Sequence, residues 1–122
     1  MAGDASRTYR ARVALPPADV EQVQQWCARR VPPEHQARTR ISCRVDPAHL
    51  TIIEEHPPWD GAGDWTSSPV ARLRWAQSRR EWSLLCVRGD LRFRPYELAR
   101  PAATVAPLLA AVERDETGIF WG

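Results

Sequence analysis

The amino-acid sequence predicts an α+β fold, with a single antiparallel sheet of about five strands and one helix near each end of the chain. Apolar residues recur at helical spacing near both ends and alternate with polar residues through the middle. Tight-turn sequences separate the alternating segments, which is typical of strands joined as hairpins. We therefore expect a hairpin plus a three-stranded meander, with both helices packed on the apolar face of one sheet.

The first helix is predicted to begin at Pro16 and Pro17, because proline is tolerated in the first turn of a helix, and to end before Pro32. Residues 1–14 show no periodicity and are expected to form a flexible arm, which leaves residues 15–122 as a single α+β domain. The apolar stripe of the helix consists of Val20, Val23, Trp26, Cys27 and Val31.

The next two segments alternate with period two and are joined by a turn at residues 46–49, so they predict a hairpin. The register that keeps their apolar residues together also sets opposite charges across from each other. That register pairs Val45 with Leu50, Cys43 with Ile52 and Arg40 with Glu55.

The meander is predicted from three further alternating segments. Pairing Trp75 with Leu84, and Cys86 with Phe93, collects their apolar groups on one side of the sheet. The final helix is expected to be capped by Thr104. Its apolar stripe consists of Val105, Leu108, Leu109 and Val112.

Cysteine and charge patterns bear on the compartment. Three well-separated cysteines, Cys27, Cys43 and Cys86, predict buried free thiols in a reducing cytoplasm. The sequence shows no apolar stretch long enough for a secretory signal or a membrane span. We therefore expect a cytoplasmic protein without a membrane partner.

All 17 basic residues are arginine, although the formal net charge is only +2. Between residues 70 and 94, seven arginines accompany two acids, and alternation is expected to place several of them opposite the core. Such a face suits phosphate contacts or base stacking, and the alternative is a solvated face that keeps the sheet soluble. Arg38, Arg40 and Arg44 would extend it. The candidate nucleic-acid-binding residues are Arg72, Arg74, Arg88, Arg92 and Arg94.

The connection between the hairpin and the meander, residues 56–69, combines aromatic, acidic and imidazole side chains. Its tryptophans are expected to pin the loop over the sheet, and a ligand pocket or an acid–base site that includes Glu54 is an alternative. The terminal Phe120 and Trp121 are expected to return to the core or to complete that pocket. The candidate pocket residues are Glu55, His56, Trp59, Asp60, Trp65 and Trp121.

No metal site, cofactor or catalytic residue is predicted. Close ligand pairs typical of zinc sites, nucleophile motifs and phosphate-cradling glycine loops are absent from the sequence.

Four sequence blocks point to a family. Residues 57–59 read PPW, 64–66 read DWT, 69–75 read PVARLRW, and 117–122 read TGIFWG. In this order the chain resembles the bacterial domain-of-unknown-function 3024 family from about Leu15 to the C-terminus. The resemblance implies a prokaryotic domain and brings no activity, cofactor or catalytic residues with it.

The leading hypothesis is a small, non-enzymatic binding module whose basic sheet face contacts nucleic acid or another acidic partner. One alternative is a protein–protein interaction domain that uses the tryptophan-rich loop and the C-terminal tail. The other is an enzyme with an acidic and histidine site between Glu54 and Asp64.

Overall fold

The computed structural model describes residues 15–121, which contain two α-helices, one short 3-10 helix and five β-strands. The strands form one antiparallel sheet, in which each strand pairs with the next along the chain. The α+β class and the five-stranded sheet are therefore confirmed, whereas the arm predicted at 1–14 lies outside the described residues. The elements are α1 (Pro17–Arg30), the 3-10 helix (Pro33–His35), β1 (Arg40–Val45), β2 (His49–His56), β3 (Thr66–Ala76), β4 (Glu81–Val87), β5 (Phe93–Pro95) and α2 (Ala106–Arg114).

The β1–β2 hairpin has the predicted register. Its turn is closed by the Asp46 N–H, which donates to the His49 carbonyl at 2.9 Å. All three predicted pairs are present: Val45 with Leu50, Cys43 with Ile52, and Arg40 with Glu55.

Strand β3 begins at Thr66 and is longer than the sequence predicts. A β-bulge interrupts the apolar–polar alternation, so the first half of the strand does not show a strand pattern in the sequence. Ile53 pairs with Pro69 and Ile52 pairs with Ala71, so Val70 is the extra residue. The bulge lets Val70 and Ala71 both enter the core, which breaks the alternation. Bulges are also among the few positions in a sheet that accept proline.

The predicted β3–β4 register is wrong by two residues, since Trp75 pairs with Trp82 rather than with Leu84. A shift of two leaves every side chain on its predicted face. The tryptophan rings lie 5.2 Å apart between centroids, and both are buried. Trp75 is therefore a core residue, as the sequence predicts.

The predicted β4–β5 register is wrong by one residue, and this error exchanges the two faces of β5. Cys86 pairs with Arg94 rather than with Phe93. The cause is the turn, in which the Leu91 N–H donates to the Arg88 carbonyl and Leu91 has a left-handed φ of 60°. Asp90 Oδ1 then accepts the Arg92 N–H at 3.1 Å. Phe93 consequently leaves the core side, and Arg94 moves onto it.

The core lies between the sheet and the two helices, and a buried carboxylate connects its layers. Asp19 in α1 is 7% exposed. Its Oδ2 accepts the Trp82 Nε1–H, and its Oδ1 accepts the Val105 N–H, both at 3.1 Å. The predicted cap at Thr104 is wrong, because Asp19 satisfies the backbone at the start of α2.

The C-terminal tail closes the core. Both oxygens of the Asp115 carboxylate accept a backbone N–H, one from Phe120 and one from Trp121, at 3.0 Å each. Phe120 is buried with its ring 4.8 Å from Tyr96, and Trp121 packs at 6.4 Å from Trp26.

The three cysteines are free thiols, as predicted, although Cys43 is only half-buried. Burial raises the pKa of Cys27 to about 12 and that of Cys43 to about 11. These two thiols therefore stay protonated and unreactive at neutral pH. Within residues 15–121, no helix has both the length and the apolar character that a bilayer crossing requires.

Candidate functional site

The two faces of the sheet differ in what covers them. Side chains of α1 and α2 share one core with Leu50, Leu73 and Trp82, so both helices lie on the same face. Within residues 15–121 no helix covers the opposite face, which we call the open face. Along the strands, the open face presents Arg40, Ser42, Arg44, His49, Thr51, Ile53, Glu55, Ser67, Pro69, Arg72, Arg74, Ala76, Glu81, Ser83, Leu85, Val87, Phe93 and Pro95.

Four basic side chains are neighbours on the open face, and we call them the basic cluster: Arg44, Arg72, Arg74 and His49. Arg44 and Arg72 flank Thr51 in one cross-strand row, and Arg74 pairs with His49 in the adjacent part of the sheet. Arg72 Nε donates to Thr51 Oγ1 at 3.1 Å, which orients the guanidinium over the sheet.

Two members of the basic cluster, His49 and Arg72, have lowered pKa values. Burial lowers the pKa of His49 below its ordinary 6.5, and the charges of Arg72 and Arg44 lower it further, against the opposing effect of Asp46. Burial and the Arg44 charge likewise lower the pKa of Arg72. Both shifts have the sign expected where cations are crowded and partly desolvated.

Asp46 is the carboxylate next to this cluster. Its buried Oδ2 lies 3.2 Å from His49 Nε2 and 3.5 Å from Arg44 Nε, without hydrogen-bond geometry to either. In the described part of the chain, Arg72 and Arg74 have no carboxylate oxygen within 4.0 Å. The cluster is thus only partly neutralised.

Two arginines of the open face lie on aromatic rings. The Arg40 guanidinium carbon is 4.0 Å from the centroid of Trp65, and that of Arg72 is 3.9 Å from the centroid of Phe93. The centre of the face is apolar, since Leu85 is 4% exposed although it does not belong to the main core. The open face therefore combines guanidinium groups, aromatic rings and an apolar centre.

The predicted nucleic-acid-binding arginines do not share one face. Arg72 and Arg74 lie on the open face as expected. Arg88 and Arg94 follow the alternation of Cys86 and belong to the opposite face, and Arg92 lies in the turn before β5. Arg94 is also held by a two-pronged contact with the Asp90 carboxylate.

The predicted pocket residues do not come together. Trp59 is 97% exposed, so it does not pin the loop. Trp65 lies under Arg40, whereas Trp121 packs on Trp26 and under Arg30, 4.8 Å from the Arg30 guanidinium carbon. The expected return of the tail to the core is therefore confirmed, and the alternative, in which the tail completes a pocket with the loop tryptophans, is wrong.

The acidic groups of this region do not converge on one site. Consecutive residues in a strand face opposite sides, so Glu54 and Glu55 diverge. Glu54 contacts His56 Nε2 at 3.0 Å, and Glu55 accepts a hydrogen bond from Ser42 Oγ at 2.9 Å on the open face. Asp60 is exposed and accepts the Ala62 N–H within its own loop. This geometry does not assemble the acid–base site of the enzyme alternative.

Two features of this region do not follow from the sequence patterns. Alternation predicts Phe93 in the core, and the signal for its true position is the Asp90 side chain, which can extend a turn by bonding the backbone two residues on. The second feature is a groove of about 830 Å³ beside β5. Segments far apart in the sequence form this groove, so no local sequence pattern predicts it. Its lining is Cys86, Arg88, Arg94, Pro95, Tyr96, Glu97, Leu98, Thr117 and Ile119.

Among the residues that the structure describes, no three histidine, cysteine or acidic side chains are grouped so as to hold a metal ion. No curated protein and no solved structure matches the chain. A family model described as a domain of unknown function (DUF3024) matches residues 13–122, in agreement with the PPW, DWT and TGIFWG blocks. The chain therefore belongs to the DUF3024 family.

Proposed function

We propose that this protein is a binding module whose open face contacts the phosphate backbone of nucleic acid. The observation that carries the proposal is the basic cluster on a sheet face that no helix within residues 15–121 covers. Arg44 on β1 and Arg72 and Arg74 on β3 lie there on either side of β2, and Asp46 is the carboxylate next to Arg44. Guanidinium groups arranged in this way match the geometry and charge of phosphates.

The distribution of acids supports a local positive surface despite a net charge of only +2. Several carboxylates are engaged elsewhere in the fold. Asp19 and Asp115 accept backbone and indole N–H groups, Glu113 accepts the Trp26 Nε1–H, and Asp90 holds Arg94. These acids do not lie on the open face. Four arginines outnumber the carboxylates on or beside that face, which are Asp46, Glu55 and Glu81, so it keeps a local positive charge that the whole-chain sum understates.

The test is a titration of labelled mixed-sequence oligonucleotides over a series of salt concentrations. Arg44→Gln with Arg74→Gln should weaken binding to all sequences and flatten the salt dependence by about 0.7–0.9 for each lost phosphate contact. The matched control is Arg88→Gln with Arg92→Gln, which removes the same charge from exposed positions away from the open face. The control should bind as the wild type does.

Equal losses in the two double variants would mean that total charge, not the open face, causes binding. Absence of wild-type binding at micromolar protein and low salt would exclude the nucleic-acid proposal.

A second candidate function, binding a protein through the loop between β2 and β3, is favoured by the exposure of Trp59. A tryptophan that is 97% exposed is costly in water and is a frequent anchor of protein interfaces. To test this candidate, the wild type and Trp59→Ser are each immobilised, and the proteins that they retain from the same cell extract are compared. A partner retained by the wild type and lost from the variant supports it, and identical retention contradicts it.

A further inference from the structure

We infer that the open face binds unpaired bases, because Arg40 and Arg72 present flat guanidinium groups seated on aromatic rings. This inference rests on the proposed function and narrows it to single-stranded nucleic acid. Contact with phosphates requires only positive charge, whereas stacking on bases requires planar groups fixed in orientation.

Each of the two guanidiniums is held from two sides. Arg40 lies 4.0 Å from the centroid of Trp65, and its Nε donates to the Gln36 carbonyl at 3.3 Å. Arg72 lies 3.9 Å from the centroid of Phe93, and its Nε donates to Thr51 Oγ1 at 3.1 Å. A ring on one side and one hydrogen bond fix each guanidinium, while Arg40 stays exposed and Arg72 partly exposed, so that a base can approach them.

Such a group can stack on a base as an aromatic ring does, while its remaining N–H groups reach phosphates or base edges. In a duplex, the flat faces of the bases are stacked on one another and are not accessible to a sheet. Sequence-tolerant binders of single strands use aromatic rings and arginine planes on a basic surface in this way. The apolar surface of Ile53, Pro69 and Val87 in the same face suits contact with bases better than contact with a duplex backbone.

The two stacks are far enough apart to engage separate nucleotides. Arg40 and Arg44 are four residues apart on β1, and Arg44 is two strands away from Arg72. With a rise of about 3.3 Å per residue and a strand spacing of about 4.8 Å, the Cα atoms of Arg40 and Arg72 lie roughly 16 Å apart. One short strand of nucleic acid can therefore contact both.

Substitution by lysine separates charge from planarity, because lysine keeps the positive charge and loses the flat group. The variant is Arg40→Lys with Arg72→Lys. The matched variant is Arg44→Lys with Arg74→Lys, at positions where residues 15–121 provide no aromatic stack. The readout is the ratio of affinities for a single strand of roughly 12 nucleotides, a length within the range for such sites, and for the duplex of the same sequence.

The wild type should prefer the single strand. Arg40→Lys with Arg72→Lys should lower the ratio about tenfold, which is the scale of losing a base stack, without flattening the salt dependence. Arg44→Lys with Arg74→Lys should change both affinities together and leave the ratio as it was. Phe93→Leu, which removes the ring under Arg72, should also lower the ratio and serves if the double variant folds poorly.

An unchanged ratio in Arg40→Lys with Arg72→Lys, or equal wild-type binding to single strand and duplex, would overturn this inference. The proposed function would survive either result as long as Arg44→Gln with Arg74→Gln still weakens binding and flattens the salt dependence.

Discussion

At the scale of single residues, the buried Asp19 carboxylate connects the helices to the sheet through its hydrogen bonds. It accepts one N–H from the sheet, at Trp82, and one from the start of α2, at Val105. Trp82 is fully buried, so its indole N–H has no access to water as a substitute partner. Asp19 thus connects α1, β4 and α2 through a single side chain.

Asp19→Ala should lower the free energy of unfolding by about 2–5 kcal/mol, since two buried N–H groups would lose their acceptors. Urea unfolding monitored by circular dichroism measures this loss. Asp64→Ala, at an exposed loop carboxylate, is the control and should change stability by less than about 0.5 kcal/mol. Similar losses in the two variants would show that the Asp19 contacts contribute little.

His49 makes stability depend on pH. Its pKa is lowered in the folded protein, so the unfolded chain binds the proton more readily below the ordinary value of 6.5. The stability contributed by the neutral imidazole is therefore present above pH 6.5 and is lost as the pH falls from there through the lowered pKa. Thermal melting of the wild type and of His49→Gln across this range should show a steeper acid loss in the wild type. Parallel curves would contradict this prediction.

At the scale of elements, the β1–β2 hairpin could be predicted in full and the β4–β5 hairpin could not. In the first, apolar alternation and the Arg40–Glu55 charge pair specify the same register. In the second, β5 has only three residues, too few for alternation to fix the register. The turn residues determine the register instead, and leucine is not a residue type that predicts the left-handed conformation adopted by Leu91.

The same reasoning explains which residues of the candidate site could be predicted from the sequence. Arg72 and Arg74 could be assigned to the open face, because they lie in the long, regular part of β3. The position of Phe93 could not, because it depends on one residue in the turn before β5. The Asp19 cap could not be foreseen either, since it joins residues 86 positions apart.

The β4–β5 turn provides a test of the observed register. Leu91 has a φ of 60° and is 68% exposed, so Leu91→Gly removes a strained conformation and little packing. A left-handed residue other than glycine costs roughly 1–2 kcal/mol, and glycine loses about 0.5–1 kcal/mol through chain entropy. The variant should therefore be more stable by about 0.5–1 kcal/mol in urea unfolding. Destabilisation would instead support the predicted register, in which the turn is shorter and Phe93 lies on the core face of the sheet.

At the scale of the whole molecule, the fold separates two tasks. The helices and the C-terminal tail cover one face of the sheet, and the helix and tail side chains form the core with it. Carboxylates such as Asp19 and Asp115 serve this covered side, whereas the basic cluster lies on the open face. A protein of nearly neutral net charge can in this way carry a locally basic surface.

The groove beside β5 is the competing location for a ligand at this scale. It lies on the side of Arg88 and Arg94, so a ligand there would approach the opposite face from the basic cluster. Any binding measurement must therefore report where on the molecule the contact occurs.

Amide NMR mapping of oligonucleotide binding tests the central claim most directly. A labelled protein titrated with a short single strand should show shifts at Thr51, Arg72 and Phe93, which lie together on the open face. Amides of Tyr96 and Ile119, in the groove, serve as the internal reference and should stay in place. Shifts confined to the groove, or an unchanged spectrum at micromolar protein and low salt, would contradict the claim that the open face binds nucleic acid.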